Sequence, residues 1–263
     1  MADKEEWRWV CVDAGSRLDG DSDEEEEEED EEYDPTRVDE DGLLRPLTRW
    51  GQTLACLPSS SSVALSFFLY GGRDGRFADG YIYPREVWTC SLKVGAAGER
   101  SVEWRCGPLV GDDDTATPKG RFLHSTCVVG RGLLVWGGHD DEDVFDDLHL
   151  LDTDTMQWRR VECEGESPGP RYAAESVTLA DDLVLVYGGK DDSKAFNDLH
   201  LLRFTSADKQ RAQWSKLAPT GQAPTPRDCG TATLLNKKLY VIGGSDEERE
   251  VFVYDVGNVS PAL

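Results

Sequence analysis

The sequence has few of the residues on which most site chemistry depends. Among 263 residues there are 4 His and 2 Met. The histidines, His124, His139, His149 and His200, form no H-x-x-x-H. The 7 cysteines are odd in number, scattered, and form no C-x-x-C, so neither compact zinc spacing nor a disulfide framework is present. No apolar run reaches the length of a membrane-spanning helix. No apolar stretch follows the charges of MADKEEWRWV, which predicts no signal peptide; with unpaired thiols, the expected compartment is the cytoplasm or the nucleus, not the secretory route. Walker, G-x-S-x-G and G-x-G-x-x-G loops are missing, so no cofactor is called for. Basic residues are scarce: 28 Lys+Arg against 52 Asp+Glu give a net charge of −24. That balance argues against a nucleic-acid or membrane surface, either of which needs cations to meet phosphates.

The acidity is concentrated. Residues 19–41 carry 16 acids and one Arg, a local charge of −15, which leaves an ordinary −9 for the rest. A run that repels itself and has almost nothing apolar to bury is expected to be disordered. It is either a docking tail for a basic partner or a solvated insertion. The chain is therefore expected to divide into an N-terminal strand segment (1–18), an acidic disordered insertion (19–44) and a folded part (45–263).

The folded part repeats. A Gly-Gly pair follows a short apolar run four times: FFLYGG (67–72), LLVWGG (133–138), LVLVYGG (183–189) and LYVIGG (239–244), at separations of 66, 51 and 55 residues. An Arg precedes each pair by 22, 16, 17 and 16 residues: Arg49, Arg121, Arg171 and Arg227. DLHLLD (147–152) and DLHLLR (198–203) follow two of the pairs, with VWTCSL (87–92) and VFVYDV (251–256) in the outer copies, and Trp104, Trp158 and Trp214 close three copies. The copies span about 45–106, 118–163, 168–217 and 224–256. Each reads as four short strands, a to d. Strand a alternates after the Arg. Strand b is nearly continuously apolar, as in a sheet covered on both faces. Strand c is the DLHLL segment and strand d carries the Trp. No sustained 3.6-residue period occurs over 50–256, so an all-β fold with little helix is expected.

This pattern resembles the kelch repeat, the family of four-stranded propeller blades, over roughly residues 45–256. The resemblance implies a β-propeller of four-stranded antiparallel blades acting as a protein-interaction module. GYIYPREVWTC (80–90) is similar to a segment of kelch substrate receptors, so a ubiquitin-ligase component is among the implied roles. Two features depart from the family pattern: four copies are visible where five to seven blades are usual, and the fourth stops after strand c. EEWRWVCVDAG (5–15) reads like the strand-d segments MQWRRVECEG (156–165) and VEWRCGPLVG (102–111), so residues 7–12 are expected to serve as a closing strand d. That strand completes either a four-bladed ring or a blade of a longer propeller.

In such a meander the d–a and b–c loops share one face, and function concentrates on loops held by a rigid scaffold. Its candidate partner-binding residues are Arg49, Arg73, Arg121, His139, Asp140, Asp141, Arg171, Lys190, Asp191, Arg227, Ser245 and Asp246. By resemblance, the four strand-a arginines line a central pocket; the alternative is that they bond loop carbonyls or acids across neighbouring blades. The acidic rim favours a partner protein with a Lys/Arg-rich segment. His149 and His200 occupy equivalent strand-c positions, which points to repeated structure and not to catalysis. Some kelch specifier enzymes carry an E-x-x-x-D-x-x-x-H iron motif, and Glu142, Asp146 and His149 approach it with the last gap one residue short, which reverses side-chain direction in a strand. A metal-assisted enzyme is thus the alternative to a non-catalytic adaptor. Cys127 and Cys163 fall in strands, where a buried thiol acting as a small hydrophobe is expected.

Overall fold

The computed structural model describes residues 46, 49–57, 64–77, 80–94, 100–107, 116–221, 223–244 and 251–257. The N-terminal strand expected at residues 7–12 and the acidic tract lie outside this set, as do Ser245 and Asp246. Among the described residues every regular element is a β-strand.

Blade 1 runs β1 (Thr53–Leu57), β2 (Ala64–Tyr70), a small hairpin of β3 (Asp74–Phe77) and β4 (Gly80–Ile82) in the b–c loop, then β5 (Val87–Val94) and β6 (Arg100–Cys106). Blade 2 is β7 (Ser125–Val129), β8 (Gly132–Trp136), β9 (Leu148–Asp152) and β10 (Gln157–Arg160). The chain then leaves as β11 (Glu162–Gly165). Blade 3 is β12 (Glu175–Ala180), β13 (Leu183–Tyr187), β14 (Leu199–Phe204) and β15 (Arg211–Leu217), and blade 4 is β16 (Gly230–Leu235), β17 (Lys238–Gly243) and β18 (Val251–Asp255). Each blade is an antiparallel meander, a to d in blades 1 to 3 and a to c in blade 4. The four sheets are arranged as a β-propeller, with neighbouring inner strands packed together: β1 on β7, β7 on β12, β12 on β16.

The strand-b pattern explains the core. β8 and β13 are buried at every position because a blade covers each face. Leu133 and Val135 face blade 1 with Ala55, Leu57 and Tyr70, while Leu134 and Trp136 face blade 3 with Leu202 and Trp214. Blade 4 shows the contrast. Leu239 and Val241 pack on blade 3, but Ile242, Val251 and Val253 on its other face are about half exposed, as is Leu54 on the outer face of blade 1.

Two joints between blades were not expected from the sequence. β11 pairs in parallel with β15, so the end of blade 2 is stitched to the outer edge of blade 3. This puts Cys163 on a rim strand, where it is exposed, while Cys127 is buried as expected and burial pushes its thiol up to about 11. The second joint follows the axis. The residue two beyond each strand-a Arg has positive φ: Gly51, Leu123, Ala173 and Cys229. These four form a chain of backbone bonds, with the N–H of Cys229 donating to Ala173, Ala173 to Leu123 and Leu123 to Gly51, at 3.3, 2.7 and 2.8 Å. The left-handed turn costs about 1 kcal/mol or more at a non-glycine residue, and here it aims one N–H across each blade boundary.

The Gly-Gly pair is the partner of this turn. Gly138 N–H donates to Arg171 O and Gly189 N–H to Arg227 O. A Cβ on Gly137 would lie 2.5 Å from Arg171 O, and φ there is +65°. Only glycine lets strand b end this close to the next blade's backbone.

Candidate interaction face

The strand-a arginines turn inward. The Arg121 guanidinium is fully buried and forks onto Asp147, with Nη1 to Oδ1 at 2.5 Å and Nη2 to Oδ2 at 3.0 Å; Nη1 also donates to Gly137 O at 2.9 Å. Arg171 repeats this with Asp198 at 2.7 Å and Gly188 O at 3.1 Å, and also donates to Pro168 O. Arg49 reaches Glu86 at 2.8 Å and Gly71 O at 3.3 Å. Arg227 reaches Gly243 O at 2.9 Å and Thr225 Oγ1 at 3.0 Å. In every copy, the Arg at the head of strand a binds the carbonyl of the first glycine at the end of strand b. Phe145 and Phe196 lie against the guanidiniums of Arg121 and Arg171, 4.2 and 3.9 Å from ring centroid to Cζ.

The strand-c histidines complete the unit. His149 Nε2 lies 2.9 Å from Asp147 and its Nδ1 2.9 Å from Ala116 O; His200 stands in the same relation to Asp198 and Glu166 O. In blade 1 Glu86 and Trp88 replace the Asp-x-His, the indole donating to Glu86. Burial opposes the charged carboxylates of Asp147 and Asp198. Hydrogen bonds from the histidine and arginine of each blade outweigh it and hold both well below the ordinary carboxylate range. His149 is therefore occupied on both ring nitrogens, while Glu142 and Asp146 are exposed. No group of three or more His, Cys, Asp or Glu among the described residues is placed to hold a metal. The arginines read as lining a central pocket, or as bonding across neighbouring blades, are instead buried ties within their own blades.

What the loop face presents is a row of stacked side chains. In blades 1 to 3 the residue after the Arg bridges the residue after the Gly-Gly: Trp50 with Arg73, Phe122 with His139, Tyr172 with Lys190. Each of these second residues also reaches the next blade. The Arg73 guanidinium stands 5.2 Å from both the Trp50 and Phe122 rings and 3.2 Å from Tyr81. The His139 ring lies between Phe122 at 3.9 Å and Tyr172 at 4.1 Å. Lys190 sits 5.3 Å from Tyr172 and pairs with Asp228 of blade 4 at 2.9 Å. Burial lowers the His139 pKa, partly offset by Asp141. At the blade 1 end, Trp50 and Tyr81 are about half exposed.

Carboxylates border this row. Asp141 holds Arg73 at 3.0 Å and accepts from Tyr83 OH; burial first, then that hydrogen bond, pushes the phenol pKa up. Asp140 Oδ1 caps the N–H groups of Glu142 and Asp143, and Asp191 Oδ1 those of Ser193 and Lys194, so each shapes its loop. Glu142, Asp143, Asp146 and Asp192 are exposed. Of the residues singled out from sequence, Arg73, His139, Asp140, Asp141, Lys190 and Asp191 share this face. Trp50, Tyr81, Tyr83, Phe122, Tyr172 and Asp228 were missed. The signal for three of them was available: an aromatic follows the strand-a Arg in the first three copies.

Four-stranded blades arranged around an axis, tied by Arg-to-glycine contacts and displaying loops on one face, define a repeat propeller built to present a surface. The chain matches the KLHDC2/KLHL20/DRC7 Kelch-repeats domain over residues 44–244 and belongs to that kelch-repeat family. Members of this family generally mediate protein–protein interactions. Similar curated proteins include acyl-CoA-binding domain-containing protein 4 of Arabidopsis thaliana, 35% identical over 50% of this chain and 19% of that protein. Dynein regulatory complex subunit 7 of Chlamydomonas reinhardtii is 30% identical over 60% of this chain and 13% of its own length. Kelch domain-containing protein 3 of Bos taurus is 26% identical over 82% of this chain and 52% of its own length. The chain thus spans about half of the last of these and a fifth or less of the other two.

Proposed function

We propose that this chain is a non-catalytic interaction module, an adaptor that holds a Lys/Arg-rich segment of a partner protein on the d–a/b–c loop face. The observation that carries this reading is the row from Trp50 to Asp228, exposed at Trp50 and Tyr81 and bordered by more acid than base. The b–c loops of blades 2 and 3 supply Asp140, Asp141, Glu142, Asp143, Asp146, Asp191 and Asp192. Three cations of this face are already engaged, Arg73 with Asp141, Lys119 with Asp143 and Lys190 with Asp228, while Lys194 lies over the Phe196 ring at 5.1 Å. A partner lysine or arginine lays its aliphatic stem on Trp50 and Tyr81 and its charge among the spare carboxylates.

The test is binding of a fluorescent Lys/Arg-rich peptide to wild type and to Asp140→Asn/Glu142→Gln/Asp143→Asn. Asparagine at 140 keeps the turn-capping oxygen, so the loop should hold its shape while losing charge. The expected result is affinity about tenfold weaker near 0.15 M salt, with the wild-type affinity falling steeply as salt rises. Trp50→Ala should weaken the same peptide without changing its salt dependence. Binding indifferent to salt and to both variants would remove the electrostatic account.

A further inference from the structure

The face that blade 4 turns away from blade 3 is open. It carries Thr233 and Leu235 on β16, Tyr240 and Ile242 on β17, and Val251 and Val253 on β18. Leu235, Ile242, Val251 and Val253 are 56, 50, 54 and 52% exposed. At the same six positions blade 2 has Cys127, Val129, Leu134, Trp136, Leu148 and Leu150, and none of these exceeds 8%, because blade 3 lies on them. The complementary half is open on blade 1. Leu54 and Leu65 on its outer face are 58 and 46% exposed, and Cys56 is exposed. The position of Cys56 is held in blade 2 by Val128, which packs toward blade 1. Inner strands pack β1 on β7, β7 on β12 and β12 on β16; among the described residues no such packing joins β16 to β1. The axial hydrogen bonds stop at the same two places. Gly51 O, Leu123 O and Ala173 O each accept from the next blade, whereas among the described residues nothing donates to Cys229 O and the Gly51 N–H has no acceptor.

We infer that two copies of this chain close one ring, the open face of blade 4 in each copy receiving the outer face of blade 1 of the other. A second copy fits because it carries the surface this face is shaped for. The contact repeats, between chains, the one made three times within the chain. The Gly51 N–H of one copy then donates to Cys229 O of the other, and the axial series runs on without a break. Charge does not oppose the contact: Lys238 and Asp255, at the end of the open face, are cross-strand partners of opposite sign. A head-to-tail contact closes when its rotation divides the circle and otherwise builds open filaments. Two copies of four blades close at about 45° per blade, within the range of known propellers. Closure covers both apolar faces, which a single copy leaves as an association hazard. The matched positions also give a contact pair. Thr53 Oγ1 of blade 1 lies 2.8 Å from Thr126 Oγ1 of blade 2. Thr231 holds the position of Thr53 in blade 4, and Leu54 holds that of Thr126 in blade 1, so Thr231 of one copy meets Leu54 of the other.

The experiment uses the full chain. Light scattering on wild type is expected to give twice the mass of one chain. Ile242→Asp/Val253→Asp, which places charge on the open face, should give the mass of one chain with an unchanged circular-dichroism spectrum. Co-expressed Leu54→Cys and Thr231→Cys chains, oxidised and mapped by peptide mass spectrometry, should yield a 54–231 disulfide between chains that neither variant forms alone. This second measurement stands whether or not the aspartate variant folds. A monomeric wild type assigns the open faces to another protein or to further blades and overturns the proposal. A 54–231 disulfide within one chain of the double variant shows a ring closed by a single copy and overturns it too. So do assemblies that grow beyond two chains, or a dimer that forms no 54–231 link.

Discussion

Arg171→Ala should be among the most destabilising single substitutions in the chain, with a loss of about 3–5 kcal/mol, the range for removing one partner of a buried pair. The guanidinium is 2% exposed. It serves Asp198, Gly188 O and Pro168 O, and Phe196 covers its face. Its removal takes the guanidinium from Asp198, which keeps only His200 at 3.1 Å and Lys216 at 3.5 Å, and takes the same donor from the carbonyls of Gly188 and Pro168 inside blade 3. Arg171→Lys should recover little, because an ammonium cannot span the fork between a carboxylate and a backbone carbonyl. The acids give the same arrangement a pH signature. Asp147 and Asp198 have folded pKa values depressed below the unfolded value of 3.8. The stability they contribute is therefore present above that value and is lost as pH falls through and below it. Urea unfolding of wild type between pH 7 and 2.5 should show this acid limb, and Asp198→Asn should make it shallower. A loss under 1 kcal/mol in Arg171→Ala, with weakened partner binding, would return these arginines to the interaction face.

The fold was legible because the chain repeats itself. Four Gly-Gly pairs, four arginines and three tryptophans at matched spacing place the strands and their order, and β8 and β13 are buried throughout as continuous apolar runs imply. The joints between blades were not legible. Positive φ at Leu123, Ala173 and Cys229 has no residue signature, since none of these side chains favours that conformation; tertiary hydrogen bonding imposes it. The parallel pairing of β11 with β15 likewise depends on where two rim strands meet in space. The site was half legible. Topology put the b–c loops on one face, but spacing could not show whether an arginine at the head of strand a points to solvent or to the glycine carbonyl beneath it. The buried Arg–Asp–His units answer that for blades 2 and 3. They move attention to the aromatic that follows each Arg, whose side chain the same left-handed turn helps to hold on the surface row.

Glu175→Gln should stabilise the protein at alkaline pH and leave it unchanged in acid. Glu175 opens the inner strand β12, and burial pushes its carboxyl up to about 7 against a backbone hydrogen bond from Ala232 that works the other way. In blade 4, burial first and then Asp228 raise the Cys229 pKa, and Glu175 adds the smallest contribution. The sign follows from the two states. The folded pKa near 7 lies above the unfolded 4.5. The folded protein therefore binds the proton more tightly, and the stabilisation is fully present below pH 4.5 and lost as pH rises through 7. A displacement of this size corresponds to about 3 kcal/mol at 1.36 kcal/mol per unit. Glutamine keeps the shape and the hydrogen-bonding oxygen but never ionises. The variant should match wild type at pH 4.5 and exceed it by a few kcal/mol at pH 8.5, read as a higher urea midpoint with an unchanged slope. Parallel curves for the two proteins across that range would show that water reaches the carboxylate between blades 3 and 4, and that no proton is held there.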